Sequence, residues 1–212
     1  MSSCCARSYG RVFSKRQARR DARRYRRKGL DETAQYIVDG LTERGVADAT
    51  VLEVGGGVGT IDIELLKAGA REATVVELSE EYDEEAAALL AENGLQGRVG
   101  RRHGDFVEVG TALEPADVVV MHRVVCCYPD PEALVGSAAL HARRLLALSF
   151  PRDSWWIRIG WHAVDAWFRL VYRFGSYVHA HRRILGAAAD AGFTPVSEHS
   201  GWLWHVSVLE RR

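Results

Sequence analysis

VLEVGGGVGT, Val51–Thr60, decides the fold of this 212-residue chain. A short apolar run carrying an acid, Glu53, gives way to glycines at positions 55, 56, 57 and 59. Glycine at such a turn permits positive φ and lets a ligand lie directly against the backbone. Three nucleotide-binding patterns compete for the segment. A phosphate-binding P-loop ends in Gly-Lys-Ser/Thr, and no lysine stands here. The dinucleotide fingerprint, counted from Gly55, asks for glycine or alanine at position 60, where Thr60 stands. The pattern that fits without exception is acid-x-Gly-x-Gly-x-Gly, set by Glu53, Gly55, Gly57 and Gly59.

On either side of this turn the chain alternates between two periodicities. Thr50–Val54 reads as a strand and Ile61–Ala68 as a helix. Ala73–Glu77 is a second strand, and Glu80–Asn93 an alanine-rich helix ended by Gly94. Val99–Arg102, Asp117–Met121 and Leu145–Phe150 read as further strands, with a helix over Pro131–Ala142. Strands and helices at this spacing predict right-handed βαβ units on a parallel sheet. A long helical segment follows Ser154, and another helix runs near His181–Ala191. Two alternating runs, Pro195–His199 and Trp202–Leu209, flank Ser200-Gly201 and predict an antiparallel hairpin added to the sheet. Asp31 is placed to cap a helix over ETAQYIVDGLTERG. The expected organisation is a basic arm over residues 1–30 and one α/β domain over residues 31–212.

Composition agrees with a globular chain. The 47% hydrophobic content excludes disorder for most of the length, and 212 residues suffice for a sizeable core without disulfide or metal staples. No apolar run approaches the roughly 20 residues that span a bilayer. The first residues are too charged for a secretory signal. Cys4-Cys5 and Cys126-Cys127 lack the spacing of a secreted disulfide framework, so a cytoplasmic protein with free thiols and no metal site is expected. Equal numbers of basic and acidic residues, 28 each, conceal an asymmetry. Arg7–Lys28 holds 11 basic residues and one acid, Asp21, for a charge of +10; the remainder holds 17 basic and 27 acidic residues, or −10. Such an arm can fold against the acidic body, its own or a partner's, or can sit on nucleic acid or anionic lipid.

At four places in order the chain resembles the class I S-adenosylmethionine-dependent methyltransferases. The first is VLEVGGGVG and the second is Glu77 ending the second strand in ATVVELS. The third is Gly104-Asp105-Phe106 and the fourth is Ala116–Val125, ADVVVMHRVV. The resemblance covers roughly residues 45–210. It implies a Rossmann-like class I methyltransferase fold, α/β, with a seven-stranded mixed sheet, helices on both faces and a terminal antiparallel hairpin. It also implies S-adenosyl-L-methionine as cofactor. The residue chemistry agrees. Glu77, with Leu78 beside it, lies at a strand end where a carboxylate accepts from ribose hydroxyls. Asp105 can accept from an exocyclic amine, and Phe106 offers its backbone N–H and its ring to a purine. Glu53 orders the turn or meets the cofactor's amino group through water.

His122-Arg123-Val124-Val125-Cys126-Cys127-Tyr128-Pro129 follows the fourth strand and faces the expected methyl group. His122 packs beside the cofactor or serves as a base, and Tyr128 is a second candidate catalytic group. Arg123, Cys127, Tyr128 and His179 are candidates for acceptor binding. Val118–Leu134, Leu145–Pro151 and Tyr177–Phe193 are most similar to the magnesium-protoporphyrin O-methyltransferases. Those enzymes have His-Tyr-Pro, with the histidine a proposed catalytic group, where this chain has Cys127-Tyr128-Pro129. The likeness therefore carries the fold and the pocket's location and leaves the acceptor open. The expected function is methylation of a small or medium-sized, apolar or aromatic acceptor. The alternatives are an RNA methyltransferase guided by the arm, or a non-catalytic nucleotide-binding regulatory module. Oligomeric state is left open. In Ser154–Tyr172, helical spacing puts Ile157, Trp161, Val164, Phe168 and Val171 on one face and Arg158, His162, Asp165 and Arg169 on a polar stripe. That pattern reads as an amphipathic core helix, with a lid or a membrane contact as the alternatives.

Overall fold

A computed structural model of the chain describes residues 12–212, so the Cys4-Cys5 pair lies outside the described residues. Thr50–Val54 (β1), Glu72–Glu77 (β2), Val99–His103 (β3), Ala116–His122 (β4) and Ala142–Pro151 (β5) pair in parallel. Phe193–Ser200 (β6) and Trp204–Arg211 (β7) complete the sheet as an antiparallel hairpin, β7 lying against β5. The order across the seven strands is β3-β2-β1-β4-β5-β7-β6.

Strand side chains alternate between two cores. Val118 and Val120 of β4 join one, with Ile37 and Leu41 of helix Glu32–Glu43 (α2), Ile61 and Leu65 of Thr60–Lys67 (α3) and Leu89 of Asp83–Glu92 (α4). Val119 and Met121 join the other, with Leu134 and Val135 of Pro131–His141 (α6) and Ile184 and Ala188 of His181–Asp190 (α8). The period of two along one strand thus fills both faces of the sheet. A four-residue helix, Phe106–Val109 (α5), follows β3, with Asp105 capping it through Val107 N. Asp31 caps α2 by accepting from Ala34 N at 3.0 Å, as its position predicts.

The basic segment forms a helix, Lys15–Lys28 (α1), that lies on its own domain. Its seat is a stripe of small residues, Ala18 and Ala22, both without exposed surface, followed at helical spacing by half-buried Tyr25. Around that stripe the cations meet the acidic body. Arg26 binds Glu92 at 2.7 Å and Glu85 at 3.4 Å, Arg24 binds Asp31 at 3.0 Å, and Tyr25 donates to Glu64.

Helix Trp155–Tyr172 (α7) differs from expectation. Of the five residues expected on a core face only Ile157 is buried; Trp161 and Phe168 are half-covered, and Val164 and Val171 are exposed. The helix projects from the end of β5, and no element of the described chain covers its outer side. Helical spacing finds an apolar arc but does not supply a neighbour for it.

The alanine seat of α1 leaves no room for a larger side chain. Ala22→Leu should unseat α1, at a cost of about 1–3 kcal/mol for overpacking. The arm should then be cut faster by trypsin at its arginines while the sheet core stays resistant. An unchanged cleavage rate would show that the helix is not held through this stripe.

Candidate functional site

In this strand order the connections turn one way from β1 to β2 and β3, and the other way to β4 and β5. The carboxyl ends of β1 and β4 therefore diverge and leave a crevice, the usual ligand position in such sheets. A cleft of about 300 Å³ occupies it, at the small end of the range for small-molecule sites. Glu53, Gly55, Gly57, Glu77, Leu78, Asp105, Phe106, His122, Arg123, Cys127 and Tyr128 all line it. Gly59 and His179 do not. Gly59 is the N-cap residue of α3, and His179 is buried behind the wall, its Nε2 2.9 Å from the Tyr128 carbonyl.

Glycine is required at Gly55 by both torsion and space, and at Gly57 by torsion. Their φ values are +70° and +54°. A Cβ on Gly55 would lie 2.6 Å from Val124 Cγ2, and one on Gly57 would lie 3.5 Å from the Tyr82 ring. Glu53 sits under the turn, since a Cβ on Gly56 would come within 2.9 Å of its Oε2. Burial first, and the neighbouring buried Asp62 second, hold the Glu53 carboxyl well above the usual carboxylate range. Asp62 is itself pushed up to about 6, chiefly by burial. Glu53 is thus wedged beneath the glycines.

Glu77 ends β2 with both oxygens engaged. Oε2 accepts from Gly57 N and Oε1 from Ser79 N, each at 3.0 Å. The carboxylate thus ties the second strand to the turn and keeps lone pairs on the cleft wall. Asp105 stands at the end of β3 with one oxygen on the Val107 amide, and Tyr128 Oη lies 3.5 Å from the other. Two buried acids at adjacent strand ends, beside a backbone cradle that added Cβ atoms would fill, form the donor and acceptor set that an adenosyl ligand needs. The residues fit that ligand.

After β4 the chain turns sharply, with Arg123 at φ +59°, a conformation costing a non-glycine residue about 1–2 kcal/mol. Arg123 N donates to Ser149 Oγ at 2.9 Å. Its guanidinium donates to Thr33 Oγ1 at 3.1 Å, pairs with Asp31 at 3.2 Å, and lies 4.8 Å over the Trp204 ring. The arginine predicted to meet an acceptor is thus fastened within the chain. His122 is half-buried, with Nε2 3.7 Å from Asp31 and in no hydrogen bond. Burial outweighs Asp31 and lowers the His122 pKa to about 4, so the ring is neutral at physiological pH. Burial and Asp105 push the Tyr128 hydroxyl up to about 12, so it keeps its proton. Cys126 and Cys127 place their sulfurs 3.8 Å apart, and the contact with Cys126 together with burial raises the Cys127 thiol well above its ordinary value. It remains a thiol and not a nucleophile.

Several cleft residues escape sequence reasoning. Phe13, Gln17, Asp21, Arg24 and Tyr25 bring the arm to the cleft, and Asp31 and Tyr82 complete its wall. A signal for α1 existed in Gln17, Asp21 and Arg24, which share one helix face that includes the only acid of the basic run.

Two predictions test this geometry. Gly55→Ala combines left-handed torsion with overlap against Val124, each costing about 1–3 kcal/mol. Calorimetric titration should show affinity for S-adenosylhomocysteine falling by roughly tenfold or more; an unchanged affinity would remove the turn from the site. A depressed histidine pKa favours the neutral ring in the fold, so His122 withdraws stability as pH falls from 6.5 towards about 4. Titration of its ring protons by NMR should give a midpoint near 4, whereas one near 6.5 would show that the ring is solvated.

Comparison with known proteins agrees with this fold. The methyltransferase domain family model matches residues 51–147. No curated protein matches the chain. Among solved structures, the magnesium protoporphyrin IX methyltransferase from Synechocystis PCC 6803 with bound SAH aligns over 100% of both chains, at TM-score 0.72 and 21% identity. An O-methyltransferase family protein from Burkholderia thailandensis aligns at TM-score 0.68 and 21% identity, over 86% of this chain and 57% of that one. The ribosomal protein L11 methylase from Lactobacillus delbrueckii subsp. bulgaricus aligns at TM-score 0.62 and 17% identity, over 87% and 80%. Residues 51–147 therefore match the methyltransferase domain family, and the chain carries the fold of the class I S-adenosylmethionine-dependent methyltransferases.

Proposed function

We propose that the chain methylates an oxygen or nitrogen of a small or medium-sized, apolar or aromatic acceptor. The observation that carries this reading is the roof of the cleft. Helix α1 and the glycine turn line the same cleft, so an acceptor reaches the cofactor in a partly covered space whose walls include Phe13, Leu30, Val124, Tyr128 and Leu134. S-adenosylmethionine supplies a methyl group on an already activated sulfonium, which leaves alignment, exclusion of water and removal of a proton to the protein.

In this reading Gly55, Gly57, Glu77, Leu78, Asp105 and Phe106 hold the cofactor. His122 is neutral and does not oppose the positive sulfonium. Its unpartnered Nε2 receives a proton where the acceptor has one to lose, and Asp31, 3.7 Å away, stabilises the cation that results. Tyr128 keeps its proton and donates a hydrogen bond to the acceptor. Arg123, held by Asp31 and Trp204, fixes the loop that carries both. The ion pairs of Lys15, Arg19, Arg24 and Arg26 with acids of the same chain favour a small acceptor over RNA, because those cations are already engaged.

The test is transfer of a radiolabelled methyl group from S-adenosylmethionine to a panel of phenols, aromatic hydroxy acids and porphyrin carboxylates, with RNA assayed alongside. Label should enter an apolar product that extracts into organic solvent. Label entering RNA alone, or no acceptor while S-adenosylhomocysteine still binds, would contradict the reading.

A further inference from the structure

Helix α7 carries seven of the ten large apolar side chains that the described chain exposes. At about 100° per residue, Trp155, Ile159, Ala163, Ala166 and Leu170 fall within one arc of roughly 80°. Trp156 and Trp167 border it. Leu170 is 84% exposed, Trp155 75% and Ile159 63%. Trp202, at the turn between β6 and β7, is 74% exposed and packs against Trp156 with ring centroids 5.4 Å apart, which extends the patch beyond the helix. The inner edge is anchored: Ile157 is buried, Trp161 Nε1 donates to Ser176 Oγ at 3.0 Å, and Phe168 packs on Phe174. Such a helix is held in place while its apolar arc stays uncovered, a costly arrangement unless something covers it.

Charge identifies what covers it. Arg158, His162 and Arg169 form a stripe along one border of the arc, Arg158 paired with Asp153 and Arg169 with Asp165 yet each about half exposed, and Arg173 follows the helix end. Residues 152–183 carry six arginines against two aspartates, in a chain that is neutral overall. We infer that α7 and Trp202 form a docking surface for an anionic lipid membrane, on which the helix lies in the interfacial plane. Trp155, Ile159 and Leu170 enter the headgroup–acyl boundary, where tryptophan is favoured, and the bordering arginines reach the phosphates. Two copies of the chain meeting through this face would bring two arginine-rich borders together, which disfavours a second copy as the occupant. No helix among the described residues is long and apolar enough to cross a membrane, so attachment is peripheral through this face. The surface is independent of the acceptor's identity, and its test needs neither cofactor nor acceptor.

Flotation of the full chain with phosphatidylcholine vesicles, and with vesicles also containing phosphatidylglycerol, tests the inference. The protein should float with the anionic vesicles, with a blue shift of tryptophan emission, and bind the zwitterionic ones weakly. A Trp155→Ser/Leu170→Ser variant alters only exposed positions and should keep its fold by circular dichroism. It should lose roughly tenfold or more of the vesicle affinity, because both side chains lose their burial in the interface. An Arg158→Gln/Arg169→Gln variant should lose the preference for anionic lipid. Absence of flotation with either vesicle would overturn the proposal. So would a dimer, seen by analytical ultracentrifugation without lipid, that the serine variant abolishes.

Discussion

The site depends on a constraint of strand order. With β1 flanked by β2 and β4, the chain crosses to the left half of the sheet and then returns to the right, and no crossover covers the carboxyl ends of β1 and β4. Backbone groups there must find partners other than a covering helix. Several are supplied by the neighbouring strands: Gly55 N reaches Val76 O, Gly57 N reaches Glu77, and Arg101 donates to Gly57 O. The tightness of the turn follows, since Gly55 stands against Val124 with no room for a Cβ.

Asp31 joins the remaining parts. One carboxylate caps α2, pairs with Arg24 of the arm, pairs with Arg123 after β4, and faces the His122 ring. Arm and post-β4 loop are thereby fixed to one point at the cleft's edge. Burial alone would raise this carboxyl; the His122 ring, the Ala34 amide and the two guanidinium groups outweigh it and hold the pKa below its ordinary value. The arm is thus part of the cleft wall. Its positive charge neutralises acids of the domain beneath it, which accounts for a neutral chain divided so unequally.

Much of this was legible in the residues. The β-branched runs gave the strands, and the acids at 77 and 105 with glycines at 55 and 57 marked the cleft, because strand ends and positive torsions leave local signatures. The seat of α1 was not legible. Ala18 and Ala22 are weakly apolar, and a stripe of small side chains becomes a packing face only when a facing surface comes close. Arg123 looked available for an acceptor because sequence does not show Thr33, Asp31 and Trp204 converging on it from distant positions. The α7 face misled for the opposite reason. Its periodicity is real, but apolar residues surround most of the helix, and only tertiary structure shows that Ile157 is covered while Leu170 is not.

The central claim is that the cofactor binds in the crevice beneath the arm helix. Hydrogen–deuterium exchange with and without S-adenosylhomocysteine tests it most directly. Residues 12–30 of the arm and the turn at 53–60 should slow together when the ligand is added, with the strand ends near 77, 105 and 122. Protection of the turn while the arm exchanges as before would show that α1 is no part of the site. Protection of neither would show that the ligand does not bind in this cleft.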